Sequence, residues 1–260
     1  MPDLRRCSSS LIGWLADRHV PRPLRAGVYG LYCRATGARA DEAELAPEAY
    51  PSLGAFFVRR LKPGARSLEP DARVWGSPCD GTLQALDRIE RGGLLQAKGR
   101  SYSAGDLVGT GASEALEGAW VWTIYLAPRD YHRVHVPAES RLLAVRWIDG
   151  ARRSVAPAVL AREDRVLATN ERAVLELQGP TGPYVLVMVG ALNVGRIRVV
   201  GVDPGTSPSV PRALARGAEL ARFEMGSTVV LIVPHGVAPV PGLAPGQPLR
   251  LHQRIGTSTG

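Results

Sequence analysis

Sulfur is scarce in this chain. Its 260 residues hold three cysteines, Cys7, Cys33 and Cys79, odd in number and widely spaced. That pattern argues against a disulfide framework and against a zinc knuckle, and it suits a reducing compartment. Lysine is scarcer still, with only Lys62 and Lys98. A pyridoxal enzyme needs a lysine for its Schiff base, so only two positions are open to that chemistry. No secretory segment is expected: Arg5 and Arg6 precede an apolar patch, but Asp17 and Arg18 interrupt it too early. The run Met225 to Leu249 carries no Asp, Glu, Lys or Arg, yet five prolines between Pro234 and Pro248 exclude a regular spanning helix. No transmembrane segment is expected.

The remaining composition is that of a soluble globular protein, 45% hydrophobic and 22% charged. The length allows one domain or one and a half. The formal charge of +8 comes almost wholly from arginine. It fits either a generic basic surface or an anionic partner, phospholipid or nucleic acid.

Residues 1–62 read as helical. Ser8 to Ser10 cap a short helix through Leu11, Ile12, Trp14 and Leu15, broken by Pro21 and Pro23. A second helix sets Leu24, Val28, Leu31 and Tyr32 at helical spacing, and a third starts at Ser52 and runs through Leu53, Phe56, Phe57 and Leu61. Arginines rim these apolar faces, so the helices either pack on the domain or lie in a membrane interface. From residue 63 the texture becomes β-rich. Short runs recur between Gly and Pro punctuation, at 82–86, 120–126, 142–148, 174–177, 184–189, 197–202 and 228–233. No long helical pattern separates them. The expected fold is therefore α+β, with a mainly antiparallel β core, a sandwich or flattened barrel, behind N-terminal helices. Residues 203–216 read as a loop, and Leu249–His252 as one late strand.

Five polar clusters carry candidate chemistry. Ser77-Pro78-Cys79-Asp80-Gly81-Thr82 is either a tight turn or a carboxylate that orients a histidine. Pro128 to Pro137 holds His132 and His135 with Asp130, Tyr131 and Arg133, too polar for core filler and extended rather than helical. No third ligand lies nearby in sequence to complete a metal site. Leu167 to Arg172 reads as a polar hairpin turn, and Val189 to Gly195 as a bulge or a close approach to a ligand. The fifth is Gly226-Ser227-Thr228, at the mouth of the run Val229 to Val233. Gly226 has no Cβ, so the Ser227 hydroxyl can approach the carbonyl of its own preceding residue. Attack there gives an ester, elimination at the Ser227 Cα breaks the chain, and the dehydroalanine left behind hydrolyses to a pyruvoyl group. Alone, that tripeptide is equally a turn before a core strand.

Taken in order, Asp-Gly-Thr, Tyr-His-Arg-Val-His-Val-Pro, Ala-Thr-Asn-Glu-Arg, Val-Gly-Ala-Leu-Asn-Val-Gly and Gly-Ser-Thr make the chain similar to the phosphatidylserine decarboxylase family over nearly its whole length. Phe56 to Pro63 resembles that family too. Ala221 stands where the family often has glycine, and Met225 where leucine or phenylalanine is usual. The resemblance implies a proenzyme that cuts itself between Gly226 and Ser227 into a 226-residue β chain and a 34-residue α chain. It implies that Asp80, His135 and Ser227 form the maturation triad, with His135 as base and Asp80 orienting it. Ser227 becomes the pyruvoyl cofactor that condenses with the substrate amine, and His132 faces the substrate for proton transfer. It further implies phosphatidylserine as substrate, phosphatidylethanolamine and carbon dioxide as products, and no metal and no nucleic acid. The two chains would stay together and assemble into a higher homo-oligomer, held peripherally on anionic lipid at the cytoplasmic face of the cell membrane by residues 1–62, with 63–260 as the catalytic domain. The same three residues also fit a serine hydrolase, and the basic helices also fit an inactive membrane-binding β domain.

Overall fold

The computed structural model describes residues 16–97, 100–109, 114–191, 197–224 and 227–259. The first expected helix, Ser8 to Leu15, lies outside them. The second runs Arg22–Thr36. Pro23 sits in its first turn, where a missing N–H is harmless, and Gly37 ends it at φ +80° with its N–H donated to the Cys33 carbonyl. The third, Leu53–Phe57, starts at Ser52 as expected, whose hydroxyl accepts from the Ala55 N–H at 3.1 Å. It ends at Phe57, four residues short of the expected end at Leu61.

The strands follow as β1 (Val74–Gly76), β2 (Gly81–Arg88), β3 (Gly93–Ala97), β4 (Arg100–Ser103), β5 (Trp120–Leu126), β6 (Arg133–His135), β7 (Ser140–Ile148) and β8 (Arg172–Gly179). The remainder are β9 (Gly182–Gly190), β10 (Ile197–Val199), β11 (Arg212–Leu214), β12 (Glu219–Phe223), β13 (Ser227–Val233), β14 (Val237–Pro239), β15 (Pro248–Leu249) and β16 (Arg254–Ser258). All of their ladder pairings are antiparallel.

The main sheet has eight strands in the order β11-β7-β8-β9-β13-β5-β2-β15. Its two end strands do not pair, so it is an open sheet and not a closed barrel. Strand β13 lies inside this sheet, hydrogen-bonded to β9 on one side and β5 on the other. All seven of its residues are buried, because both faces of the sheet are covered. That double burial is why the strand reads as an unbroken apolar run rather than an alternation. Val229, Leu231 and Val233 join one core, with Val134, Phe223 and Ile255 from the sheets β10-β12-β6 and β1-β16-β14. Val230 and Ile232 join the other, under the short helices Ala104–Val108, Pro157–Leu160 and Val166–Thr169.

The helix Arg22–Thr36 packs by one face only. Tyr29 is fully buried and donates to the Tyr50 carbonyl, and the buried Arg25 donates to the Val20 and Glu48 carbonyls. One residue round the helix, Leu24 and Leu31 are 58% and 62% exposed, with Val28 between them. The helix thus packs on the domain through Arg25 and Tyr29 and leaves the adjoining stripe of Leu24, Val28 and Leu31 uncovered. Among the described residues no helix is long and apolar enough to cross a membrane.

Candidate active site

Ser227 opens β13, directly opposite Leu126 on β5 and Gly190 on β9. Cross-strand partners share a face, and Leu126 belongs to the core beneath the β10-β12-β6 sheet, so Ser227 points to that side. It is fully buried, and its Oγ has no hydrogen-bond partner among the described residues. A hydroxyl in this position usually costs stability, and such outliers concentrate at functional sites. Gly226, the other half of the expected cleavage bond, lies outside the described residues, as do Met225 and residues 192–196 of the Val189–Gly195 cluster.

The sheet β10-β12-β6 ties His132 to the end of β12 that leads to residue 227, and His135 to its other end. Strand β12 leads towards residue 227 and pairs with β6, and the Phe223 N–H donates to the His132 carbonyl at 2.9 Å. The His132 ring packs against Phe57, 4.0 Å between centroids, and is fully buried. Its Nδ1 meets the Asp130 carbonyl at 2.9 Å. A carbonyl only accepts, so Nδ1 carries the hydrogen and Nε2 is left as a bare lone pair, buried and without a partner. Burial, with a lesser push from the Arg59 charge, holds this imidazole down at a pKa of about 3.

His135 is tethered at both nitrogens. Nδ1 donates to the Gly217 carbonyl at 2.8 Å, which leaves Nε2 to accept from the Tyr131 hydroxyl at 3.0 Å. Burial lowers its pKa as well. The Asp80 carboxylate is occupied elsewhere. Oδ1 accepts from Arg66 Nε at 2.9 Å and from the Leu251 N–H at 2.7 Å, and Oδ2 from Arg66 Nη2 at 2.5 Å. No hydrogen bond joins Asp80 to His135. Asp80 is near enough for its charge to favour the protonated imidazole, so it acts on His135 through space. Its placement depends on Gly81, where a Cβ would stand 2.5 Å from the Tyr125 carbonyl. The Asp-Gly pair is therefore a strand entry at close quarters with β5, and not a tight turn.

A family model described as phosphatidylserine decarboxylase matches residues 53–257. The chain belongs to that family. A phosphatidylserine decarboxylase proenzyme of Halorhodospira halophila is 41% identical over 260 residues, covering 95% of this chain and 88% of its own length. The proenzyme of Xanthomonas axonopodis pv. citri is 40% identical over 264 residues, with 96% and 94% covered. That of Anaeromyxobacter sp. (strain K) is 36% identical over 262 residues, with 95% and 93% covered.

In this phosphatidylserine decarboxylase family member several residues serve the site without having been evident beforehand. The Ala-Thr-Asn-Glu-Arg cluster is not a hairpin turn: Val166–Thr169 is a helical turn that delivers Asn170 into the interior. Asn170 Nδ2 donates to the Gly190 carbonyl at 2.9 Å, and the Gly190 N–H donates to the Glu171 carbonyl. Both fix the residue that pairs with Ser227. Arg66, Tyr131 and Gly217 hold Asp80 and His135. His252 stands edge-on to His135, 5.5 Å between centroids, in a left-handed conformation at φ +69°. The strand expected at Leu249–His252 ends at Leu249 because of that turn. Burial and the neighbouring His135 lower the His252 pKa to about 4.

These neutral histidines predict an acid sensitivity. Unfolded histidine takes a proton near pH 6.5, whereas folded His132 and His252 resist it down to about 3 and 4. Their contribution to stability is whole above pH 6.5 and falls as the pH drops towards those values. Between pH 6.5 and 5, above the carboxylate range, the melting temperature should decline steadily. A flat profile there would contradict neutral buried imidazoles.

Proposed function

We propose that this chain is a self-processing, pyruvoyl-dependent phosphatidylserine decarboxylase that cuts itself between Gly226 and Ser227. The observation that carries the reading is the buried, unpartnered Ser227 Oγ at the start of β13. A serine hydrolase needs its nucleophile open to an outside substrate. Ser227, with no exposed surface, is suited instead to attack its own backbone.

Maturation needs a base near the Ser227 hydroxyl. His135 takes that role, its tautomer set by Gly217 so that Nε2 is the accepting nitrogen. Tyr131 yields that nitrogen when the proton is taken. Asp80 supports the imidazolium by its charge, while Arg66 and Leu251 keep the carboxylate fixed. Oxygen attack on the residue 226 carbonyl exchanges the amide for an ester. Loss of the Cα proton expels the new carboxylate, and hydrolysis of the dehydroalanine releases ammonia. The products are residues 1–226 and 227–260.

The pyruvoyl group derived from Ser227 supplies a ketone that draws off the electron pair left when carbon dioxide departs. His132 fits the later proton transfer. Its Nε2 lone pair is unspent and buried, and a substrate carboxylate beside it would favour its protonation. Phe57 and the Asp130 carbonyl hold the ring in place. Gel electrophoresis of purified protein, with carbon dioxide release from phosphatidylserine vesicles, tests the whole reading. A chain that stays at 260 residues and releases none defeats it.

Residues 1–62 are the membrane-associating part in this reading, at the cytoplasmic face. The support is the free stripe of Leu24, Val28 and Leu31 on a helix that also carries Arg22 and Arg34. Changing Leu24 and Leu31 together to serine should cut flotation with anionic vesicles about tenfold or more, each buried leucine being worth roughly 1.5–3 kcal/mol. Raised salt should weaken what remains. Unaltered flotation would leave that face without a membrane role.

A further inference from the structure

Arg59 is a buried charge with little compensation among the described residues. It is 3% exposed, and among the described residues its Nε and Nη1 have no hydrogen-bond partner. Nη2 alone is engaged, donating to the Arg129 carbonyl at 3.2 Å. No carboxylate among the described residues forms an ion pair with it, and its nearest support is the Phe56 ring, 5.1 Å below the guanidinium. Burying a charge in this way is expensive unless a partner arrives. The residue borders a cavity of about 200 Å³, far above the roughly 10–15 Å³ that admits a single water on the same measure. Of the carboxylates on that cavity, Glu42 and Asp80 are spent on Arg66, while Asp130 accepts from the Ala127 N–H and feels the Arg59 charge without forming an ion pair with it. Arg129 and Arg250 stand on the same wall.

We infer that Arg59 is the anion-recognising residue of the substrate site and takes the phosphodiester of the serine lipid. The inference rests on the decarboxylase reading above. A guanidinium fork matches both phosphate and carboxylate. Position decides between them. The carboxylate to be lost must sit at the reacting centre, and Ser227 does not line this cavity. The phosphodiester lies a few bonds further along the same molecule. The cavity extends to Gly37 and Arg39, just past the end of the helix with the exposed leucines, the side from which a lipid would come. Arg59 follows two residues after Phe57, whose ring packs on that of the substrate-facing His132 at 4.0 Å between centroids, although His132 itself does not line the cavity. The Arg129 side chain, 56% exposed, lines the cavity beside Arg59 and is a second cation for the same anion.

The test uses the uncleaved Ser227→Ala chain and calorimetric binding of sn-glycero-3-phosphoserine, free serine and inorganic phosphate. Glycerophosphoserine should bind, phosphate should compete with it, and adding Arg59→Gln should weaken it at least tenfold while free serine is unaffected. Binding within twofold of the parent, or no binding to either chain, would overturn the inference. An equal loss for free serine would place the carboxylate there instead, and overturn it too. Stability separates recognition from a structural role. In the otherwise native chain, Arg59→Met should still self-cleave and should hold or raise its melting temperature, because an uncompensated buried charge is gone. A clear fall in melting temperature with lost cleavage would make Arg59 structural. Fragments and carbon dioxide from the native chain test the decarboxylase reading separately, so either idea can fail alone.

Discussion

Replacing Ser227 with alanine is expected to leave one chain of 260 residues that releases no carbon dioxide from phosphatidylserine. Alanine has no oxygen to attack the preceding carbonyl and no route to a ketone, so both cleavage and turnover should fall to background. The structure makes the result easy to interpret. The Ser227 Oγ has no partner, so its removal breaks no hydrogen bond and relieves a buried hydroxyl. Stability should be unchanged or higher by about 1–3 kcal/mol, the usual cost of an unsatisfied buried polar group. A folded, more stable and wholly inactive chain is therefore the expected outcome, read by gel, thermal melt and carbon dioxide assay. Two fragments of native size from this variant would remove Ser227 from the chemistry.

The second large effect divides the two histidines. His135→Ala should remain uncleaved, or cleave slower by the roughly 10²–10⁴-fold that a positioned base contributes. His132→Ala should yield both fragments and then turn over poorly. The contrast follows from their environments. His135 has a fixed tautomer and a nearby carboxylate charge to support its protonated form. His132 offers an unspent lone pair in a dry pocket. Fragment yield and carbon dioxide release, measured in both variants, give the answer. Cleavage lost in His132→Ala but intact in His135→Ala would reverse the roles. Cleavage intact in both would end the triad.

The central strands were legible because their burial is written in composition. Trp120–Leu126 was marked to the residue, and β13 to within one, since a doubly covered strand needs apolar side chains on both faces. Strands β6 and β12 were not legible. Each is short, and they exist by pairing with each other across more than eighty residues, a relation that periodicity does not encode. The site divides in the same way. Ser227, His132, His135 and Asp80 stood out as polar residues in motifs. Their partners did not: Arg66 is one arginine among many, and Gly217 contributes only a carbonyl. Asn170 looked like turn chemistry because its inward aim is set by one helical turn that propensity does not announce. His252 carried one signal that only the backbone reveals, its left-handed φ.

The position of β13 inside the main sheet has a consequence for the protein's lifetime. Were the chain cut at the proposed bond, the first strand of residues 227–260 would still be laced to β5 and β9, β14 to β16, β16 to β1, and β15 to β2. Nothing in the cut itself lets the short piece leave. If the assembly is ever unfolded, however, regaining it becomes an encounter between two molecules, one of which begins with seven residues made to be hidden. Recovery then depends on concentration and competes with aggregation. An uncut chain could find its fold repeatedly, whereas a chain cut at the proposed bond would have to keep the one it has.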